Sequence, residues 1–299
     1  MDFPWLCQIP RFKEWKDIKE LTGGNKKERK FRLIADNGEK CILRITTVDR
    51  LHLKHQEFAN LIRLQPFALN IPKPLEFGLC QEGTHMYMLL SWIEGETVGS
   101  KLADFSEQKQ YDIGYQCGQT LAELHSLSKV KSEIDWLIRY KEVERKILKD
   151  YYACNLPIDN EQIGLDFLEE NKHFLKNRPQ IIKHGDYHAN NLIITPEQEI
   201  GIIDFDRCVI SDPYEEFAII VWTAQDFPSF ADGQIAGYFN DEVPPDFYPL
   251  LAYYITVYAF EHISWALGYG KNPPEIIKKT AEKLINLFDN YSRLKPKWR

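Results

Sequence analysis

The amino-acid sequence predicts an α+β protein with two lobes, a small β-rich N-terminal lobe and a larger, mainly helical C-terminal lobe. The chain has 299 residues, which is beyond the size at which a single hydrophobic core stops growing. Patterns typical of strands dominate up to about residue 95, and patterns typical of helices dominate after it. We therefore expect a boundary near Glu94–Thr97, with residues 1–94 and 95–299 as the two domains.

The N-terminal lobe is predicted to be a small, mostly antiparallel sheet with one helix. The stretch KFRLIADNGEKCILRI holds two β-rich runs around Asp36-Asn37-Gly38, which is a hairpin signal. LKHQEFANLIRL has apolar residues at helical spacing, and the two prolines of IPKPLEFG end that helix. HMYMLLSWIEG then indicates a buried strand. Residues 20–95 are thus predicted to run β-β-α-β-β.

The C-terminal lobe is predicted to be mainly helical. The first helix, SEQKQYDIGYQCGQTLAELHSLS, begins after a potential cap at Ser106 and carries Ile113, Cys117, Leu121 and Leu124 on one face. IIKHGDYHANNLIITPEQEIGIIDFD interrupts the helices with two short strands and polar loops. Further helices are predicted over residues 133–153, 161–176, 213–225, 246–267 and 274–293.

Composition restricts the partners and the location of the protein. No C-x-x-C pair occurs among the six cysteines, so we expect free thiols packed as small core residues. No signal peptide is evident, and the longest apolar stretch, Leu250–Phe260, is too short to span a bilayer. A cytoplasmic protein without a membrane partner is expected. Acidic residues exceed basic ones over 95–299, which argues against nucleic acid and is compatible with a cationic partner.

The stretch KHGDYHANN, Lys183–Asn191, concentrates polar side chains that could bind a metal or transfer a proton. His184 and His188 are four residues apart, as zinc ligands on a helix would be. Gly185 disfavours a helix there, however, and no Glu stands between the histidines as in H-E-x-x-H. A zinc hydrolase is therefore the less favoured of two interpretations.

The second interpretation uses Asp186, Asn191 and Asp204 together. An Asp followed five residues later by an Asn, and then by a second Asp after a β-turn-β excursion, has the spacing of a phosphoryl-transfer site. The first Asp would meet the attacking hydroxyl. The Asn and the second Asp are hard oxygen ligands of the kind that Mg²⁺ prefers. We expect the three side chains to converge.

The signature H-G-D-x-H-x-x-N followed by I-I-D-F-D resembles that of aminoglycoside phosphotransferase-type kinases, the small-molecule branch of the protein-kinase-like fold. The resemblance covers roughly residues 20–265. It implies that Asp186 is the catalytic base or positions the hydroxyl, that Asn191 and Asp204 bind Mg²⁺, and that His184 orients the loop. It also implies a nucleotide-binding N-terminal lobe and a catalytic, substrate-binding C-terminal lobe.

The same resemblance implies further nucleotide-binding residues in the N-terminal lobe. TGGNKKERKF is similar to the family's phosphate-covering loop, which assigns that role to Thr22, Gly23 and Gly24. A strand cation paired with a helix carboxylate is implied at Arg44 and Glu57, where many family members have Lys in place of the arginine.

The segment LLSWIEG resembles the family's nucleobase linker, with the Ser91 carbonyl and the Ile93 amide as partners of ATP or GTP. Glu216 stands where the family usually has an Asp that bonds back to the catalytic loop, and we expect it to do the same after a small backbone shift.

The resemblance predicts transfer of a γ-phosphoryl group to a small-molecule hydroxyl, with an aminoglycoside-type antibiotic as one acceptor and antibiotic resistance as one role. An endogenous sugar, amino alcohol, amino acid or protein hydroxyl is an alternative acceptor, and a silent nucleotide-binding protein is an alternative of a different class. Candidate acceptor contacts are the carboxylates and aromatic rings of the C-terminal lobe: Glu169, Glu170, Asp226, Asp232, Glu261, Trp136, Trp222, Tyr238, Tyr253, Tyr254 and Trp265.

Overall fold

The computed structural model of the chain describes residues 4–22 and 28–298. The chain forms two compact units. The first contains the chain up to Ser100 together with Asn190–Cys208, and the second contains Lys101–Ala189 together with the chain from Val209 onward. Residues 190–208 thus return to the unit formed by the N-terminal part.

A five-stranded antiparallel sheet forms the centre of the first unit. Its strands are β1 Trp15–Leu21, β2 Glu28–Ala35, β3 Lys40–Thr47, β4 Pro74–Cys80 and β5 His85–Ser91. They lie in the order β1-β2-β3-β5-β4. The β2–β3 hairpin turns at the predicted Asn37-Gly38, where Gly38 has a φ of +85° that favours glycine.

The two faces of this sheet have different neighbours because successive side chains of a strand point to opposite sides. On one face, Phe31, Leu33 and Leu43 pack in a core with Leu6 and Ile9 of the N-terminal segment. The opposite face of β2 and β3 carries the polar side chains described below.

The first unit also contains a helix and a second, smaller sheet. Helix α1 (Leu51–Leu64) follows β3, and the short β6 (Glu96–Thr97) leads into α2 (Val98–Lys101). The residues after Asn191 form β8 (Leu192–Ile194) and β9 (Ile200–Ile202), which make a three-stranded sheet with β6 in the order β6-β8-β9. The Ile202 amide also donates to the Asn70 carbonyl.

The predicted β-β-α-β-β order omits one strand. The sheet has β1 before the hairpin, and the prediction began at residue 20, inside that strand. β1 is at the sheet edge and its exposed Lys, Asp and Glu side chains break the apolar alternation. The strand therefore has no clear period-2 signal.

The second unit is built mainly from helices. Its first helix begins after Ser106, whose side chain accepts a hydrogen bond from the Lys109 amide, as the sequence predicts. The helices are α3 Glu107–Leu127, α4 Trp136–Ala153, α5 Glu161–Asn171, α6 Ile220–Ala224, α7 Pro228–Tyr238, α8 Phe247–Tyr269 and α9 Pro274–Asn286. A short sheet joins β7 (Ile181–Lys183) to β10 (Val209–Ser211).

Helices α3 and α7 pack backbone to backbone. Both carry glycines four residues apart, and a Cβ on Gly114 or Gly118 would overlap a carbonyl oxygen of α7. Gly233 and Gly237 face carbonyl oxygens of α3 in the same way. Small residues at this spacing let two helix axes approach closely.

Several expectations about the second unit need correction, and the helix predicted over 274–293 ends at Asn286. The sequence did not predict α7, because its small residues give little apolar periodicity. The predicted helix over 213–225 is mostly 3₁₀ helix (Pro213–Ile219) before α6. The helical prediction for 161–176 ends as 3₁₀ helix over Lys172–Leu175.

All six cysteines are free thiols, as predicted, and four of them are buried. Cys7 is exposed, so the expectation that every cysteine is a core residue is wrong for that position. No helix among the described residues is long and apolar enough to cross a membrane.

Candidate functional site

A cleft of about 230 Å³ lies within the first unit. Most of the wall formed by residues 4–22 and 28–298 is apolar, and three of the lining residues in these ranges are ionisable. The lining residues are Lys30, Ile42, Arg44, Pro72, Leu90, Ser91, Trp92, Ile93, Gly95, Thr97, Ile193, Ile203 and Asp204.

Arg44 forms the predicted pair with Glu57. It lies on β3 with its side chain only 4% exposed, and its Nη1 donates to Glu57 Oε1 on α1 at 2.6 Å. Its Nε and Nη2 donate to Glu28 Oε2 at 3.0 and 2.7 Å. Nη2 also lies 3.0 Å from Asp204 Oδ1. The guanidinium fork therefore joins three carboxylates, which a lysine ammonium would do with less defined geometry.

Lys54 is a second buried cation in the same network. It is on α1, three residues before Glu57, and its Nζ lies 2.8 Å from Glu57 Oε2 and 2.8 Å from Glu28 Oε1. Each of the two glutamates thus contacts both Arg44 and Lys54. Buried charges are tolerated when they are paired in this way.

Burial and ion pairing act in opposite directions on the pKa values of this network. Burial alone would lower the pKa of Arg44, but Glu57, Asp204 and Glu28 raise it well above its ordinary value. Burial would raise the pKa of Glu28, yet Arg44 and Lys54 outweigh that effect and lower it. For Glu57 burial is the larger effect, so its pKa is raised despite the two cations.

Lys30 is the other cation among the described residues that line the cleft. It lies directly opposite Arg44 in the β2–β3 ladder and on the same face of the sheet. Its Nζ is 3.5 Å from Asp204 Oδ2 and 3.7 Å from Glu28 Oε2, and its side chain is 20% exposed. It is more accessible and less tightly paired than Arg44.

The two predicted magnesium ligands come from adjacent strand ends. Leu192 of β8 pairs with Ile202 of β9, and the Ile203 amide donates to the Asn191 carbonyl at 3.0 Å. Asn191 and Asp204 are thereby held at the same end of the hairpin. Asp204 has a φ of +68°, a backbone conformation that is uncommon for a residue with a side chain and recurs at functional sites.

The donor chemistry of this pair fits Mg²⁺. One carboxylate and one amide oxygen are hard ligands, and two protein ligands leave coordination positions for phosphate oxygens and water. Asn191 and Asp204 are the side chains that would hold the ion.

The predicted nucleobase partners line the apolar part of the cleft. Ser91 ends β5, and its hydroxyl accepts a hydrogen bond from the Lys73 amide at 2.8 Å. The Ile93 amide donates no hydrogen bond to any of residues 4–22 and 28–298. Thr22 is exposed directly after β1, whereas Gly23 and Gly24 lie outside the described residues.

Asp186 belongs to the second unit, in the loop that follows β7. Its amide donates to His184 Nδ1 at 3.2 Å, and its carbonyl accepts from the His188 amide at 2.9 Å. His188 Nε2 lies 3.6 Å from Asp186 Oδ1. The Tyr187 hydroxyl between them donates to the Cys117 carbonyl of α3 at 2.7 Å. Hydrogen bonds on both sides thus fix the backbone that carries Asp186, and His184 contacts the loop as predicted.

Glu216 bonds back to this loop, which confirms the expectation from its position. Its two carboxylate oxygens accept the His184 amide at 2.6 Å and the Gly185 amide at 2.8 Å. His125 Nε2 on α3 lies 3.6 Å from Glu216, and His125 Nδ1 is 2.9 Å from the Tyr238 hydroxyl. α3 and α7 thereby contribute to the support of the loop.

Burial would raise the pKa of Glu216, but the neighbouring side chains outweigh it. His125, His184 and Lys183 stabilise the carboxylate, and the pKa of Glu216 is lowered. The group is therefore charged at neutral pH and able to accept both amide hydrogen bonds.

The structure gives the zinc interpretation no cluster of ligands. Across residues 4–22 and 28–298, no three His, Cys, Asp or Glu side chains gather as metal ligands would. His188 instead contacts the Asp186 carboxylate.

Several predicted acceptor contacts are core residues of the second unit. Trp136, Tyr253 and Tyr254 are at most 2% exposed. Trp136 Nε1 donates to the Tyr254 hydroxyl, which donates to Asp212 Oδ2, each at 2.9 Å. Trp265 is 48% exposed, and it stacks on a neighbouring tyrosine. The buried rings stabilise the unit, and Trp265 keeps an exposed surface.

The pattern of one enzyme family matches most of the chain. The family, APH, is described as the phosphotransferase enzyme family, and the match covers residues 17–250. The chain belongs to this family. It is accordingly a phosphotransferase. A search of curated protein sequences finds no match.

Solved structures of aminoglycoside phosphotransferases share the fold. A variant of a thermostable APH(4)-Ia mutant, in a ternary complex with AMP-PNP and hygromycin B, has a TM-score of 0.71 at 17% identity over 97% of this chain and 99% of its own. ADP-bound APH(2'')-Ib gives 0.60 at 18% identity over 94% of both chains. The gentamicin complex of APH(2'')-IIa gives 0.64 at 15% identity over 94% and 93%. The α+β, protein-kinase-like fold is thereby confirmed.

Sequence reasoning missed Glu28, Lys54, Lys30 and His125. Glu28 is far from Arg44 in sequence. Lys54 is on a helix face that carries no motif. Lys30 had a usable signal, since a two-strand hairpin turning at Asn37-Gly38 places it opposite Arg44.

Proposed function

We propose that the protein transfers the γ-phosphoryl group of a magnesium-bound ATP or GTP to a hydroxyl group of a small molecule. The observation that carries this proposal is the cleft of the first unit. Ile42 and Leu90 are a cross-strand pair that gives the cleft an apolar wall. Two residues away, about 7 Å along the strand, the cross-strand pair of Arg44 and Lys30 gives it positive charge. An apolar site beside fixed positive charge suits a nucleotide.

The proposed nucleotide contacts follow from the cleft and the resemblance. The Ser91 carbonyl and the Ile93 amide bind the nucleobase, and Thr22, Gly23 and Gly24 cover the phosphates. Arg44, oriented by Glu57, provides positive charge near the phosphates. These assignments agree with the apolar lining and with the uncommitted Ile93 amide.

Asn191 and Asp204 are proposed to hold Mg²⁺, which neutralises charge on the transferred oxygens when it is bound. Asp186 is proposed to accept the hydrogen bond of the acceptor hydroxyl and, as transfer proceeds, its proton. The hydrogen bonds that fix the Asp186 backbone support this role, because a catalytic carboxylate must be held in position.

We propose a cationic acceptor of the aminoglycoside type. The acidic character of residues 95–299 and the fold shared with proteins that bind hygromycin B and gentamicin support this choice. Six free thiols suit a reducing compartment, and we propose a cytoplasmic location.

A phosphate-transfer screen tests the proposal. Purified protein with Mg²⁺ and either ATP or GTP is offered aminoglycosides, macrolides, sugars, amino alcohols and a protein hydroxyl, and transfer of radiolabelled γ-phosphate is measured. We expect transfer to at least one acceptor. Asp186→Ala should lower the turnover by about 10²–10⁴-fold without lowering Tm.

Asp150→Ala is the matched control, because Asp150 is an exposed aspartate at the end of α4. Unchanged turnover in Asp186→Ala would remove the role of Asp186. Nucleotide binding without transfer to any acceptor would favour a silent nucleotide-binding protein instead.

A further inference from the structure

We propose that Lys30 on β2, rather than Arg44 on β3, is the main cationic ligand of the nucleotide phosphates. This inference rests on the proposed nucleotide-binding function and names a contact that the family signature does not assign. It follows from the different ion pairs that Lys30 and Arg44 form, although the two residues lie opposite each other in the sheet.

Arg44 has little capacity left for a phosphate. Contacts of 2.6–3.0 Å engage all three of its guanidinium nitrogens with Glu28, Glu57 and Asp204. Its side chain is 4% exposed. A guanidinium offers five N–H donors, and these contacts use most of them. To bind a phosphate through the same groups, Arg44 would have to give up contacts with Glu28 and Glu57, two buried carboxylates that would then depend mainly on Lys54, which is unfavourable.

Lys30 differs from Arg44 in each of these respects. Its contacts with Asp204 and Glu28 are 3.5 and 3.7 Å long, whereas strong charge-assisted N–H···O bonds measure about 2.7–2.9 Å. Its side chain is five times more exposed than that of Arg44. The ammonium can therefore turn towards a phosphate without unpairing a buried group.

The position of Lys30 also suits this role. It lines the same cleft as the apolar residues and Asp204. In the pairing of β2 with β3, Lys30 lies directly across from Arg44. Its charge is therefore close to the one that a lysine in place of Arg44 would bring to the cleft. Arg44 then acts as a positioning residue that joins α1, β2 and Asp204.

The decisive measurement separates phosphate binding from nucleobase binding. Calorimetry compares MgATP with adenosine, which lacks the phosphates, for the wild type and for Lys30→Met. We expect Lys30→Met to weaken MgATP binding by about 10- to 100-fold, the usual effect of losing a hydrogen bond to a charged group. Adenosine affinity should stay within about twofold, since this change of under half a kcal/mol is no more than surface substitutions typically cause.

Lys30→Arg and Arg32→Met are the controls. Lys30→Arg keeps the charge and should recover most of the MgATP affinity. Arg32 is on the same face of β2, two residues away, but outside the cleft lining, and Arg32→Met should leave both affinities unchanged. Thermal unfolding of each variant verifies the fold.

Two outcomes would overturn the inference while leaving the proposed function standing. One is wild-type MgATP affinity in a folded Lys30→Met protein. The other is an equal loss of adenosine and MgATP, which would assign Lys30 to the shape of the cleft. Failure of the wild type to bind MgATP or to transfer phosphate would instead contradict the proposed function itself.

Discussion

Arg44 in the first unit and Glu216 in the second are both buried charged groups, but they have different partners. Arg44 contacts three carboxylates, and Lys54 completes an ionic network around it. Glu216 accepts two backbone amides of one loop. The ionic network joins a helix, two strands and a strand end, whereas the amide pair fixes the conformation of a short loop.

This difference indicates how each region should respond to substitution. Removing one member of the ionic network leaves opposite charges buried without a full set of partners. Removing Glu216 leaves two neutral N–H groups unsatisfied, and a buried neutral donor costs less than a buried charge.

The largest effect is expected from Arg44→Met. Within the part of the chain that the structure describes, the change leaves Glu28 and Glu57 with only Lys54 as a close buried cation, so we expect the free energy of unfolding to fall by about 3–5 kcal/mol. Urea denaturation measures it. The control is Arg145→Met, which removes an exposed i,i+3 pair and should change stability by about 1 kcal/mol or less. Equal stability of the two variants would show that the buried network adds nothing beyond a surface pair.

An intermediate effect is expected from Glu216→Ala. Loss of two acceptors should lower the free energy of unfolding by about 1–3 kcal/mol. Displacement of the Asp186 loop should reduce turnover further, by about a hundredfold for a 1 Å shift. Transfer kinetics and urea denaturation measure the two effects.

Glu216→Asp retains a carboxylate and provides the comparison for this test. It should keep more of the activity than Glu216→Ala, since an aspartate can still accept at least one of the two amides. If both variants turn over like the wild type, the loop does not depend on this carboxylate.

The smallest expected effect is the pH dependence of stability. The folded-state pKa of Glu216 lies below its ordinary value of 4.5. Its contribution is therefore complete above pH 4.5 and is lost as the pH falls through the folded-state pKa. Between pH 5 and pH 3 the wild type should lose more stability than Glu216→Gln, by about 1.4 kcal/mol per unit of pKa shift at most.

Denaturation curves at several pH values give that difference. Glu170→Gln, a substitution at an exposed carboxylate of α5, provides the reference. A Glu216→Gln protein that loses stability as steeply as the wild type would contradict the assignment.

The comparison also shows what a sequence can and cannot predict. Local patterns predicted the β2–β3 hairpin and the Ser106 cap, and family spacing predicted the Arg44–Glu57 pair and the Glu216 bonds to the loop. The roles of Asp186, Asn191 and Asp204 stay predictions, as does the domain boundary near residue 94.

Features that depend on long-range packing were missed. Edge strand β1 lacks apolar alternation, and α7 is defined by glycines that matter only against α3. Glu28 and Lys54 acquire their importance from a three-dimensional network that no short motif encodes. Lys30 is an intermediate case between the predicted and the missed features. Once the turn of the hairpin is located, the strand register places Lys30 opposite Arg44.

The glycine contact between α3 and α7 has one more consequence. Carbonyl oxygens of each helix lie where a glycine of the other helix has no Cβ, so sliding one helix along the other would press a side chain against a backbone carbonyl. Cys117, whose carbonyl accepts the hydrogen bond of the Tyr187 hydroxyl, belongs to α3 and would move with it. The interlocked glycines therefore fix the distance along α3 at which the Asp186 loop is attached.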